Sequence, residues 1–189
     1  FRSVQATGTG KTRLSIAITD VLMSASWVKR VLFLCDRREL RKQAKNAYSE
    51  FLKAPVAVLT SKTAEDDSNR IFVATYPAMI KVFQKFDPGF FDLIIADESH
   101  SLGAFPKPSS RAKRLRADLK NWKSKLILMS GTPTPESFSQ MYHQVYGCVG
   151  NPFSEYKNFY GWANDYVKKK QIHYGFKVAT DYSDADKNR

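Results

Sequence analysis

Strand-length apolar runs alternate with helix-like stretches across the first two-thirds of this chain, and that alternation limits its fold more than any other feature. Residues 31–35, 56–60, 71–75, 93–96 and 126–129 read as strands, mostly so continuously apolar that burial on both faces is expected. Between them, residues 12–24, 38–52, 77–86 and 111–122 carry helical spacing or composition. In the second of these, Leu40, Ala44, Ala47, Tyr48 and Phe51 mark one apolar face. Such an order predicts an α/β fold, a mainly parallel sheet with helices packed on both faces. Residues 64–69 and 103–110 read as loops. Beyond Pro135 the alternation stops. Residues 136–146 and 152–167 read as helices, and the remaining residues, rich in Tyr, Lys and Asp, carry no clear pattern. The expected organisation is one lobe over residues 1–146 and a helical or irregular extension over 147–189.

A glycine turn before the first helix carries the strongest chemical signal. In Gln5-Ala-Thr-Gly-Thr-Gly-Lys-Thr12, the glycines at 8 and 10 let the backbone curl so that successive N–H groups face a phosphate. The helix after this turn adds the positive end of its dipole. Lys11 is placed to reach β- and γ-phosphates, and the Thr12 hydroxyl to ligate Mg²⁺. Thr7, Gly8, Thr9, Gly10 and Arg13 complete the expected nucleotide contacts. The strict pattern has glycine where this chain has Gln5, so the segment is a variant. An ordinary glycine turn is the plainer reading; the Gly-Thr-Gly-Lys-Thr run between an apolar start and a helix favours the phosphate site.

Downstream, Asp92-Leu-Ile-Ile-Ala-Asp-Glu-Ser-His100 sets two adjacent carboxylates at the end of a buried strand. Neighbouring strand residues point to opposite faces, but at the strand's end this relaxes and both can approach one site. Asp97 then suits holding Mg²⁺, and Glu98 suits polarising or deprotonating a water. An acidic helix start would explain either residue alone. It does not explain a pair that comes after the phosphate turn at a spacing suited to three intervening strands.

These segments together resemble the superfamily 2 helicases and translocases. Asp97-Glu-Ser-His100 is a DExH box, and the segment from Gln5 to Thr12 is similar to motif I of that superfamily. Arg30-Val-Leu-Phe-Leu-Cys-Asp-Arg-Arg-Glu-Leu-Arg-Lys-Gln-Ala44 resembles motif Ia of type I restriction enzyme motor subunits. Val73-Ala-Thr-Tyr-Pro-Ala-Met79 looks like the segment whose threonine, here Thr75, grips the tracking strand. Ser130-Gly-Thr-Pro-Thr-Pro135 resembles motif III in the form of Swi/Snf-type and phage-encoded members. The resemblance covers roughly residues 1–146. It implies the first RecA-like lobe of a P-loop NTPase, with ATP and Mg²⁺ as cofactors and nucleic acid, DNA above all, as partner. It also implies a second RecA-like lobe that supplies an arginine to the reaction. Catalysis would rest on Lys11, Asp97 and Glu98, with Thr12 and Asp97 on the metal. His100, Ser130 and Thr132 would couple the nucleotide site to motif III, although a histidine beside a carboxylate and a Ser-Gly-Thr-Pro turn are also ordinary structural features.

Charge points the same way. Thirty Lys and Arg against eighteen Asp and Glu give a net charge of +12, which favours a polyanionic partner. The excess is dense over residues 29–53 and denser over 107–125, where Asp118 is the only acid. Arg37, Arg38 and Thr75 are the expected phosphate contacts, with Tyr76 a further candidate; such contacts hold a backbone without reading bases. Tyr156, Phe159, Tyr160, Trp162 and Tyr166 invite base stacking, but helical spacing favours packing. No apolar run approaches the ~20 residues of a membrane span. Cys35 and Cys148 lie far apart, so a reducing, intracellular setting is expected. The chain starts abruptly where a strand should run and ends without a stop signal, as though cut from something larger. The rival reading, a nucleotide-gated module that clamps nucleic acid without hydrolysis, is disfavoured because Lys11, Thr12, Asp97 and Glu98 are all present.

Overall fold

Three strands whose every residue is buried, β2 (Val31–Cys35), β4 (Ile71–Thr75) and β5 (Leu93–Ala96), sit at the centre of the protein's sheet. The computed structural model describes residues 2–4, 10–110, 112–115, 117, 124–132, 134–146 and 150–186, with backbone alone at 2–4 and 65. The chain divides into two compact units, Phe1–Glu98 with Asp118–Gly131 and Ser99–Ala117 with Thr132–Arg189.

The first unit is a six-stranded parallel sheet in the order β1-β6-β5-β2-β4-β3, completed by β1 (Arg2–Val4), β3 (Val56–Val58) and β6 (Lys125–Ser130). Helix α1 (Lys11–Ser24) and helix α2 (Arg38–Phe51) cover one face. There Ile16, Ala44 and Tyr48 pack with Phe33, Val73, Ile95 and Met129. Burying such side chains contributes roughly 1.5–3 kcal/mol each before chain entropy is counted. On the alternate residues of the same strands, Phe72 meets Phe86 and Phe91 edge-on, with ring centroids 6.3 and 5.5 Å apart. Short helix α3 (Tyr76–Val82) and a 3₁₀ turn over Phe83–Lys85 come after β4. β3 stops two residues before the expected end. The Thr63 hydroxyl donates to the Val58 carbonyl at 2.7 Å and accepts from Thr60 N at 2.8 Å, folding the chain away from the ladder.

All six strands run the same way, so their carboxyl ends share one edge. The connection from β2 leads towards β3 and that from β5 towards β6, to opposite sides of the sheet. Ligand crevices form outside the carboxyl ends at such a reversal. Asp92, by contrast, lies at the amino end, where its carboxylate accepts from Lys29 N and Arg30 N at 2.8 and 2.9 Å; it is a structural staple.

The second unit contains a 3₁₀ turn (Ser99–Leu102), α4 (Gln140–Val145), α5 (Phe159–Tyr166) and an antiparallel hairpin of β7 (Lys170–Tyr174) and β8 (Lys177–Asp181). Its core is aromatic, with Tyr142, Phe159 and Trp162 buried together. Gly103 is required: a Cβ there would lie 2.8 Å from the Gln140 carbonyl. The helix expected over 152–167 begins only at Phe159, because Asn158 accepts from Gly161 N at 2.9 Å and fixes the start. Residues 112–115 of the helix expected over 111–122 are helical, and 111, 116 and 118–122 lie outside the described residues. The patternless tail is in fact the hairpin. Packing accounts for Phe159 and Trp162, both buried.

Candidate nucleotide and nucleic-acid sites

Gly10 takes φ 90°, a left-handed conformation at the N-cap of α1 that a side chain would strain. It supplies no capping side chain, and the first turn of α1 carries no acid. Thr7, Gly8 and Thr9 lie outside the described residues. Lys11 opens the helix, Thr12 is half-buried, and the exposed Arg13 sets its guanidinium 5.8 Å from the centre of the Phe51 ring. A relay that no local sequence pattern encodes fixes the first turn of α1: Ser15 Oγ donates to the Thr12 carbonyl at 2.7 Å, and Tyr48 Oη donates to Ser15 Oγ at 3.0 Å. Burial pushes the Tyr48 phenol up to about 12, so it remains a neutral donor.

Lys11 Nζ donates to Glu98 Oε1 at 2.6 Å, across 87 residues of sequence. The pair is largely withdrawn from water, with side chains 11% and 25% exposed, which strengthens a charge-assisted bond. Strand alternation ends at Glu98, whose φ of 51° is left-handed and costs an L-residue about 1 kcal/mol. The preceding Asp97 is buried, and its backbone is held twice. Its N–H donates to the Leu34 carbonyl at 2.8 Å, and its carbonyl accepts from Tyr76 Oη at 3.0 Å. Tyr76 thus ties the start of α3 to the acidic segment. It is buried, and its hydroxyl is committed to the acidic segment. Thr75 caps α3, its hydroxyl accepting from Ala78 N at 3.4 Å, and is itself buried.

Arg37 and Arg38 stand exposed at the start of α2. Arg38 begins an open groove of about 450 Å³ lined also by Glu39, Arg41, Lys42, Lys45 and Val58. The cations at 38, 41, 42 and 45 repeat at helical spacing and so lie on one face of α2. That spacing is legible in the sequence as the polar counterpart of the apolar period on the same helix.

The family model described as type III restriction enzyme, res subunit (ResIII) matches residues 3–135. The chain belongs to the ResIII family. Among curated relatives, this ResIII chain is 39% identical over 107 residues to the type I restriction enzyme EcoKI endonuclease subunit of Escherichia coli strain K12, an alignment spanning 50% of this chain and 9% of that protein. It is 37% identical over 103 residues to the EcoAI endonuclease subunit of Escherichia coli, spanning 51% and 13%. Two solved structures share the fold. The Hef helicase domain of Pyrococcus furiosus superposes with a TM-score of 0.67 at 18% identity, over 80% of this chain and 34% of that one. The SWI2/SNF2 ATPase core of Sulfolobus solfataricus, solved with dsDNA, gives 0.69 at 16% identity, over 87% and 34%. The chain thus spans about a tenth of these curated relatives and a third of these solved chains. The resemblance to superfamily 2 helicases and translocases holds, and so does the RecA-like α/β lobe.

Within the ResIII lobe the remaining sequence candidates fall in different units. Ser130 is buried at the end of β6 in the first unit, whereas His100 and the exposed Thr132 belong to the second. Cys35 ends β2 with its thiol donating to the Ala74 carbonyl at 3.4 Å. Burial first, then the nearby Asp97 charge, pushes it up to about 12, so it is an inert core group. Among the described residues no cluster of three or more His, Cys, Asp and Glu could hold a metal, and no helix is long and apolar enough to cross a membrane.

Proposed function

We propose that this chain is the nucleotide-binding half of a nucleic-acid motor. It binds ATP with Mg²⁺ and, completed by a second RecA-like lobe, hydrolyses it to move along or remodel DNA. The observation that carries this reading is the 2.6 Å pairing of Lys11 with Glu98, which draws the phosphate turn and the acidic segment into one site. The residues present suit the cofactor. The left-handed Gly10 and the acid-free first turn of α1 offer N–H groups to phosphate oxygens. A hydroxyl and one carboxylate, Thr12 and Asp97, match a metal that is held partly by substrate phosphates rather than by a protein cage.

When bound, Mg²⁺ neutralises charge on the β- and γ-phosphates of ATP. Lys11 then exchanges Glu98 for phosphate oxygens, and the released carboxylate orients a water and accepts its proton as that water's oxygen bonds to the γ-phosphorus, the bond from that phosphorus to the β–γ bridging oxygen breaks, and ADP leaves. Arg37, Arg38 and Thr75 hold the nucleic-acid backbone, and His100, Ser130 and Thr132 relay the nucleotide state. Support for DNA comes from relatives named as restriction endonuclease subunits, whose setting is also consistent with an intracellular protein. Residues 1–146 form the lobe in this reading, and 147–189 lead towards the second. The test is Glu98→Gln in the complete protein. ATP binding should persist while DNA-stimulated turnover falls at least about 100-fold. Unchanged turnover would leave the non-hydrolysing clamp as the better account.

A further inference from the structure

The β7–β8 hairpin breaks the usual rule for apolar side chains. All of β7 and nearly all of β8 are exposed, including Ile172, Val178 and Tyr174, which is 65% exposed. Phe176, in the two-residue turn with Gly175 at φ 59°, is fully in solvent. A two-stranded ribbon is marginal by itself; this one is fastened at its base. Lys168 N donates to the Asp184 carbonyl at 2.9 Å, and Asp186 N donates to the Tyr166 carbonyl at 2.8 Å. Lys170 pairs with Asp184 at 2.9 Å. The Ser137 and Ser139 hydroxyls donate to the carbonyls of Ser183 and Tyr182. The Tyr182 ring packs against Phe159 in the buried aromatic core, centroids 5.5 Å apart. A secured base therefore carries an aromatic tip ~17 Å out, given ~3.4 Å per strand residue.

Composition selects the occupant. From Lys168 to Asp181 there are four lysines and one aspartate. Lys177 stands opposite Tyr174 in the ladder, hence on the same face, and makes no ion pair among the described residues. Protein–protein interfaces deplete lysine. Lysine interleaved with exposed aromatics is instead the composition of surfaces that hold phosphates while bases stack. We propose that this hairpin is a contact for single-stranded nucleic acid, with Tyr174 and Phe176 stacking on unpaired bases while Lys177 holds an adjoining phosphate and Lys168, at the base of the ribbon, one farther along the strand. The choice of polyanion rests on the motor reading above, but none of these residues is among those assigned there to nucleotide or nucleic acid.

The test measures anisotropy of a fluorescein-labelled oligothymidylate, and of a blunt duplex of equal length, titrated with the full chain and its variants over a salt series without nucleotide. Tyr174→Ala with Phe176→Ala should weaken oligothymidylate binding about tenfold or more, leaving duplex affinity and the unfolding midpoint unchanged. Phe176→Trp should keep the affinity. Lys168→Gln with Lys177→Gln should lower the slope of log K against log salt by roughly 1 to 1.5. Oligothymidylate affinity unmoved by the aromatic double variant, or an equal loss on both probes, overturns the proposal. So does intact binding accompanied by lost association with a second RecA-like lobe, which would make the hairpin a protein-docking element. Failure of the parent chain to bind either probe would count against the motor reading too; parent binding with indifferent hairpin variants removes only this proposal.

Discussion

Between Tyr76 and Asp97 a single hydroxyl joins two segments that the sequence presents as unrelated. Tyr76 directly follows the threonine proposed to grip nucleic acid, and its hydroxyl ends on the backbone of the residue proposed to hold the metal, at 3.0 Å. Because the acceptor is a carbonyl, no side-chain pattern could have announced it. Tyr76→Phe keeps the ring in its pocket and removes only the donor. It should cost about 0.5–1.5 kcal/mol of stability in urea denaturation. If the bond transmits nucleic-acid binding to the acidic segment, the complete protein should also lose about fivefold in DNA-stimulated turnover, the rate equivalent of ~1 kcal/mol, with ATP affinity unchanged. A stability loss without a change in stimulation would make Tyr76 a packing residue. Lys11, Asp97 and Glu98 differ from Tyr76 in this respect. Their chemistry lies in the side chains themselves, which is why they stood out in the sequence.

Helix α2 carries two faces of opposite character. Ala44 and Tyr48 on one side are buried against the sheet, while Arg38, Arg41, Lys42 and Lys45 line the groove on another. Cations so close together repel one another, and a polyanion relieves that repulsion. Replacing Arg41, Lys42 and Lys45 by Gln should therefore weaken duplex binding and flatten its salt dependence by roughly 0.9 for each phosphate no longer neutralised. Charge reversal at Arg37 and Arg38 should act in the same direction. Anisotropy titrations over a salt series read both, and an unchanged slope would remove α2 from the nucleic-acid path. The hairpin gave a weaker sequence signal than α2 because its exposed face carries apolar and basic residues side by side. Neither a period of two nor a period of 3.6 emerges from that mixture.

In the proposed reading the molecule as a whole holds one side of a reaction. An arginine supplied across a cleft is worth about 10³–10⁵ in phosphoryl transfer, and this chain spans only about a tenth of its curated relatives. ATP turnover by the chain alone should thus lie at least about 10³-fold below that of the complete protein in a coupled ADP-release assay. Near-equal rates would show that no second lobe is needed. The sequence by itself determined the parallel α/β lobe and the identity of the candidate catalytic groups. Strands buried on both faces must be apolar throughout, and phosphate and metal chemistry admits few residue types, so both are written in local composition. Only the tertiary structure decided the partners: Lys11 with Glu98, Tyr76 with the backbone of Asp97, and the cationic face of α2 with the edge near Val58. These pairings join separate segments of the chain through a side-chain ion pair, a backbone carbonyl and a shared surface, and no local pattern encodes such a meeting.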